Sequence, residues 1–163
     1  MKLTVCLLSG LLLGLALPLA AAEPAEVEWI ELMPKEDLEF LQNMPEIDHD
    51  GNEPVSLPEE LMTGNVVDAM DQKVIKIPGF VVPLEYTDDK RVTEFFLVPY
   101  FGACIHVPPP PPNQIIHVSY PEGIHVDALY EPYWITGTLR TERISNDVAD
   151  ASYIMTADKV VLY

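Results

Sequence analysis

The chain has 163 residues, a one-domain length, and 26 acidic against 9 basic residues give it a net charge of −17. So acidic a surface repels nucleic acid and anionic lipid, which argues against both as partners. It suits an exported soluble protein and favours cationic ligands or a basic partner surface.

Met1-Lys2 is followed by an uncharged apolar run from Leu3 to Leu19, then Ala20-Ala21-Ala22 and Glu23. A basic start, an apolar middle and a small-residue junction are the parts of a secretory signal peptide, so residues 1–22 are expected to be removed. An uncleaved anchor is the alternative, because the apolar run approaches membrane-spanning length. Cleavage after Ala22 leaves 141 residues, with 8 basic against 26 acidic side chains and a net charge of −18. The expected location is the periplasm of a Gram-negative cell, with no stable membrane anchor after cleavage. Cleavage also removes Cys6 and leaves Cys104 as the only thiol. A lone thiol in an oxidising compartment is buried, metal-bound or open to intermolecular chemistry.

Residues 23–72 read as an acidic, proline-punctuated extension. Pro34-Lys35-Glu36-Asp37 predicts a helix start, since proline suits the first turn and acids favour the positive end of the helix dipole. Leu38, Phe40 and Leu41 are then the expected docking face. Trp29, Ile30 and Leu32 precede it as further packing residues. Asp48-His49-Asp50-Gly51-Asn52 reads as a solvated turn, because it lacks the spacing and closing glutamate of an EF-hand. Pro58 to Met62 predicts a second short helix.

From residue 73 the composition turns to that of strands. Lys73–Glu85 is the first, with a bulge or sharp bend expected at Pro78-Gly79. Thr87–Lys90 reads as a turn, Thr93–Tyr100 as the second strand and Gln114–Tyr120 as the third. A turn with a short helix near Val126–Leu129 follows. Tyr133–Arg143 is the fourth strand, and Ser152–Tyr163 the fifth, kinked near Ala157–Lys159. Five strands with a helix between the third and fourth predict a mainly β fold, a small OB-like β-barrel over residues 73–163. Gly102 and Gly137 fall where such strands must coil sharply. A β-sandwich is the alternative.

The most unusual stretch is Gly102-Ala103-Cys104-Ile105-His106-Val107-Pro108-Pro109-Pro110-Pro111-Pro112-Asn113-Gln114-Ile115-Ile116-His117-Val118. Five prolines form a stiff, extended connection with no ladder donors. A hairpin centred between Pro110 and Pro111 sets Cys104 opposite His117 and His106 opposite Ile115. Alternation then gathers Cys104, His106 and His117 on one face. Phe101, Ala103, Ile105, Val107, Ile116, Val118 and Tyr120 fall on the other, which reads as core. A slip of one residue separates His117 from the other two.

This stretch resembles the signature of an exported bacterial family known only as a domain of unknown function. The resemblance rests on Pro78-Gly79-Phe80-Val81-Val82-Pro83-Leu84-Glu85 and on Glu94 through Gln114, and extends over roughly residues 70–163 and, more weakly, Trp29 to Pro34. What it implies is an accessory envelope role, since members often accompany ABC-type transport or metal-homeostasis components.

A thiolate and two imidazoles form a borderline-soft ligand set suited to zinc or copper, with zinc the expected ion. Cys104, His106 and His117 are therefore the candidate metal ligands, with His125 or Glu122 as candidates for a fourth position. The second reading is a docking module with no metal. It uses Pro108, Pro109, Pro110, Pro111, Pro112, Asn113 and Gln114 as a pre-ordered loop offered to an envelope transporter component or another periplasmic protein. A third is a thiol enzyme using Cys104 and His117. It has no evident oxyanion loop or orienting carboxylate, so no catalytic residue is assigned.

Overall fold

The structure, a computed structural model, describes residues 23–43, 57–103 and 110–163. Five strands close a mixed barrel. They are β2 (Lys73–Tyr86), β3 (Val92–Val98), β4 (Ile116–Ile124), β5 (Pro132–Arg140) and β8 (Tyr153–Leu162). Around the barrel the order is β2-β3-β4-β8-β5 and back to β2, with β4 and β8 parallel and every other pair antiparallel. This is the OB-like barrel expected from the strand count, and the sandwich alternative is set aside. β1 (Ala25–Glu26) adds in parallel to β2, while β6 (Ile144–Ser145) and β7 (Asp150–Ala151) form a small separate ribbon.

Alternation explains the interior. Ile75, Ile77, Phe95, Leu97, Ile116, Val118, Ile135, Leu139 and Tyr153 point inward and are buried. No bulge falls at Pro78-Gly79: pairing with β5 runs unbroken from Lys73 to Phe80, and pairing with β3 begins at Phe80. A Cβ on Gly79 would lie 2.9 Å from the Val98 carbonyl oxygen, so β3 crosses too closely for a side chain. The bulge falls later, between Pro83 and Tyr86. The kink foreseen in the last strand is present, because Ala157 and Lys159 have partners on β5 while Asp158 is skipped. Gly137 sits opposite this bulge, and a Cβ there would lie 2.3 Å from the Thr156 carbonyl oxygen.

Helix α1 (Lys35–Asn43) starts where Pro34 and the two acids place it. Its most buried residue, however, is Asp37 at 5% exposure, while Leu41 is exposed. The segment 57–63 gives a turn and one short 3-10 helix, Leu61–Thr63. The helix expected at Val126–Leu129 does not form, and residues 125–131 run as turns and bends. Residues 23–43 and 57–72 share the barrel's core, since Val27, Leu32 and Met70 pack with the inward barrel residues.

A second apolar cluster covers the outside of the barrel wall. Phe96, Val98, Ala103, Ile115 and Ala151 are buried there against Phe80, Val82 and Ile144. Phe96 and Val98, outward on β3, are thus as buried as the inward Phe95 and Leu97, which is why the end of that strand reads as a continuous apolar run.

Candidate functional site

Strand β4 sorts its side chains as expected. Ile116, Val118 and Tyr120 face the interior, and His117 faces outward. The cross-strand partners of His117 are Phe96 on β3 and Ile154 on β8. Both ladder edges at His117 are therefore taken, and the hairpin pairing of His117 with Cys104 is corrected. The physical reason is closure: in a barrel a strand has two neighbours, and β3 and β8 supply both. Cys104, His106, Pro108 and Pro109 lie outside the described residues.

The imidazole of His117 is nearly covered, with 12% of its side chain exposed. The Phe96 ring meets it edge-on, with centroids 5.7 Å apart. Glu94 is opposite Ser119, one diagonal step from His117, and its Oε2 lies 3.4 Å from His117 Nε2. Ala103, the residue before Cys104, is buried in the same cluster as Phe96. Sequence reasoning missed Glu94. The signal was present in the alternation of β3, which puts Glu94 and Phe96 on one face, but its use needed the β3–β4 register.

Glu122 and His125 do not join His117. β4 makes an excursion between Ser119 and Ile124, which oppose Glu94 and Val92. Within it the Glu122 carboxylate accepts a hydrogen bond from Tyr120 Oη at 3.0 Å, and its carbonyl accepts one from Arg91 Nη1 at 2.6 Å. Burial first, and the Glu122 carboxylate second, push the Tyr120 phenol above its ordinary range. His125 is exposed just past the strand. Among the described residues no three side chains of His, Cys, Asp and Glu gather at one point.

The end of the proline run is placed differently from a presented loop. Pro112–Gln114 is one turn of 3-10 helix, and Pro110, Pro112, Asn113 and Gln114 are buried. Asn113 Nδ2 donates to Asp37 Oδ2 at 2.8 Å and to the Asn65 carbonyl at 2.9 Å. Gln114 Nε2 donates to the Trp29 carbonyl at 2.9 Å. Ser152 N donates to the Pro112 carbonyl, and Ser152 Oγ to that of Gly64. The directional bonds that Asn113 and Gln114 were expected to offer a partner are made within the chain. They tie the N-terminal segment to the barrel.

The family model for a protein of unknown function, DUF3299, matches residues 29–162. The chain belongs to the DUF3299 family. A DUF3299 family protein from Pseudomonas aeruginosa PAO1, known from its crystal structure, is similar at 38% sequence identity and a TM-score of 0.67. The match covers 86% of this chain and 96% of that one. No curated protein matches.

Among the described residues no helix is long and apolar enough to cross a membrane.

Proposed function

We propose that this DUF3299 protein is an exported periplasmic accessory protein that holds a divalent metal, zinc, through Cys104, His106 and His117. It would serve an envelope transporter or metal-homeostasis system. The observation that carries this reading is the setting of His117. It is an outward histidine that is nonetheless nearly covered, with a carboxylate 3.4 Å from Nε2. The residue before Cys104 packs in the cluster that contains its aromatic neighbour Phe96. A histidine serving only as surface would be solvated, and one serving only as core would not need a carboxylate.

The docking reading draws less support, because Asn113 and Gln114 are spent on internal hydrogen bonds. The test is the metal content of protein purified without a histidine tag, alongside titration of the free thiol. About one zinc per chain with a protected Cys104 supports the site. Metal-free protein with a freely reacting thiol, unable to take up added zinc, overturns it.

A further inference from the structure

We propose that the free edge of β8 pairs antiparallel with the same edge of a second copy of this chain, joining two barrels through one continuous sheet. The inference is independent of the metal reading. Among the described residues β8 pairs with β4 only from Tyr153 to Thr156, and beyond that with β5 alone. One side of its backbone from Ala157 to Leu162 therefore has no strand beside it. Such an edge presents a row of unpaired N–H and C=O groups to another chain. Other open edges of this sheet are blunted. β2 beyond Phe80 carries Pro83 and a bulge. β4 beyond Ser119 carries Pro121 and Gly123, the latter at φ +65°. β1 is two residues long and follows Pro24. β8 past its bulge at Asp158 has no proline or glycine, and it runs into three exposed apolar residues, Val161, Leu162 and Tyr163. Tyr163 N donates to the Pro132 carbonyl, which carries the pairing one residue past Leu162.

Register selects a second copy as the occupant. Val161 is opposite Trp134 and Lys159 opposite Thr136 on the outer wall, while Val160 is opposite the buried Ile135. Residues facing each other across an antiparallel pair share a face, so a two-fold axis must set one residue opposite its own copy. With Val161 at the axis, Val160 falls opposite the second copy's Leu162, and Lys159 opposite its Tyr163. Apolar meets apolar, and each lysine meets an aromatic ring. With Val160 at the axis instead, Lys159 falls against Val161 and Tyr163 against Ala157, and both matches are lost. The Tyr163 ring is held ready, stacked on Trp134 with centroids 5.1 Å and planes 16° apart. Trp134 already attracts a cation, since Lys76 Nζ lies 3.8 Å from its ring centroid. Asp158 and Lys159 are the only charges from Ala157 to Tyr163 and cancel, so the edge is neutral on a chain of net charge −17. Repulsion between the two bodies opposes the pairing, so association should tighten as salt screens it. An interface built on one short edge belongs to the small, transient class, and a micromolar dissociation constant is expected.

The experiment is sedimentation equilibrium of the full chain, Val161→Lys and Val74→Lys, with thiols reduced and at several salt concentrations. Val74 is the control, a valine on β2 of matching exposure, 44% against 41% for Val161. The wild type is expected to dimerise at micromolar concentrations, and more tightly at higher salt. Val161→Lys sets like charges face to face and should weaken dimerisation by at least about tenfold, while Val74→Lys should match the wild type. Both valines are partly exposed, so the variants are expected to fold; equal unfolding midpoints at dilution, where each chain is monomeric, check this. A second measurement reads the register. Under mild oxidation Val161→Cys should form a disulfide between its two copies, mapped by mass spectrometry, because directly opposed residues lie within disulfide reach. Lys159→Cys should not, since its two copies stand more than about 13 Å apart along the ladder. The wild type under the same oxidation is the control for Cys104. A chain that stays monomeric throughout overturns the proposal and leaves the edge to an extended segment of a different protein. A dimer that Val161→Lys leaves intact also overturns it. Cross-linking of Lys159→Cys as strong as that of Val161→Cys overturns the register, and with it the argument for a second copy.

Discussion

Asn113→Ala is the perturbation whose cost the structure lets us work out most fully. The side chain is fully buried and donates to Asp37 Oδ2 and to the Asn65 carbonyl. Each net hydrogen bond contributes about 1 kcal/mol, but a buried group left without its partner costs about 1–3 kcal/mol, and a charged one more. Asp37 is 5% exposed, so losing its amide donor falls at the upper end. One term opposes the loss. Asn113 Oδ1 is buried without a partner among the described residues, and alanine removes that unpaired oxygen. Taken together the variant should be less stable by about 2–4 kcal/mol, a large part of the roughly 5–15 kcal/mol of a small domain. Asp37→Ala should cost less, about 1–2 kcal/mol, because Asn113 keeps its bond to Asn65. The double variant should then show a coupling of about 1–3 kcal/mol between the two sites. Urea unfolding of the wild type, both single variants and the double variant measures this. A coupling below about 0.5 kcal/mol, with an unchanged urea dependence, would refute the buried link between α1 and the Pro112–Gln114 turn.

Three further outcomes follow. Gly137→Ala should destabilise by about 2–3 kcal/mol, since the new Cβ meets backbone atoms of Thr156 and Ala157 that cannot step aside; thermal unfolding within a degree of the wild type would contradict this. Burial pushes the Tyr153 phenol above its ordinary value of 10.0, so the neutral form is favoured in the fold. That contribution is complete below pH 10.0 and is lost as the pH rises through the folded value, so urea midpoints should fall above about pH 10, and less steeply in Tyr153→Phe. Equal slopes for the two proteins would contradict it. At neutral pH the same variant should cost about 1–2 kcal/mol, because Tyr153 Oη donates to the Leu32 carbonyl and accepts from Val67 N.

The barrel was legible because its signals are local. Period-2 alternation, the kink at Asp158 and the start of α1 each follow from a few neighbouring residues. Register was not legible. The apolar residues before the prolines suggested a hairpin across them, but Ala103 packs on the outer wall of the barrel and β3 supplies the partner of His117. Which strands flank β4 is decided by closure, a property of all five strands together. The outward face of His117 could be read from alternation, and Glu94 beside it could not without that register. By sequence alone Asp37 reads as a helix-start acid and Asn113 as a loop amide. Their roles depend on burial by residues distant in sequence, which composition does not reveal.

The measurement that bears most directly on the metal site is calorimetric titration of zinc into the full chain, its Cys104→Ser and His117→Ala variants, and His49→Ala as a control. It is run at pH 7.5 with Cys104 reduced. The account predicts one zinc per wild-type chain and an affinity that falls as the pH drops and protons compete for the ligands. A hundredfold excess of free zinc over its dissociation constant should raise stability by about 2.7 kcal/mol. Cys104→Ser should weaken binding most, His117→Ala should weaken it as well, and His49→Ala should leave it unchanged. No uptake of zinc by the reduced wild type, or equal uptake by all four proteins, would contradict the account.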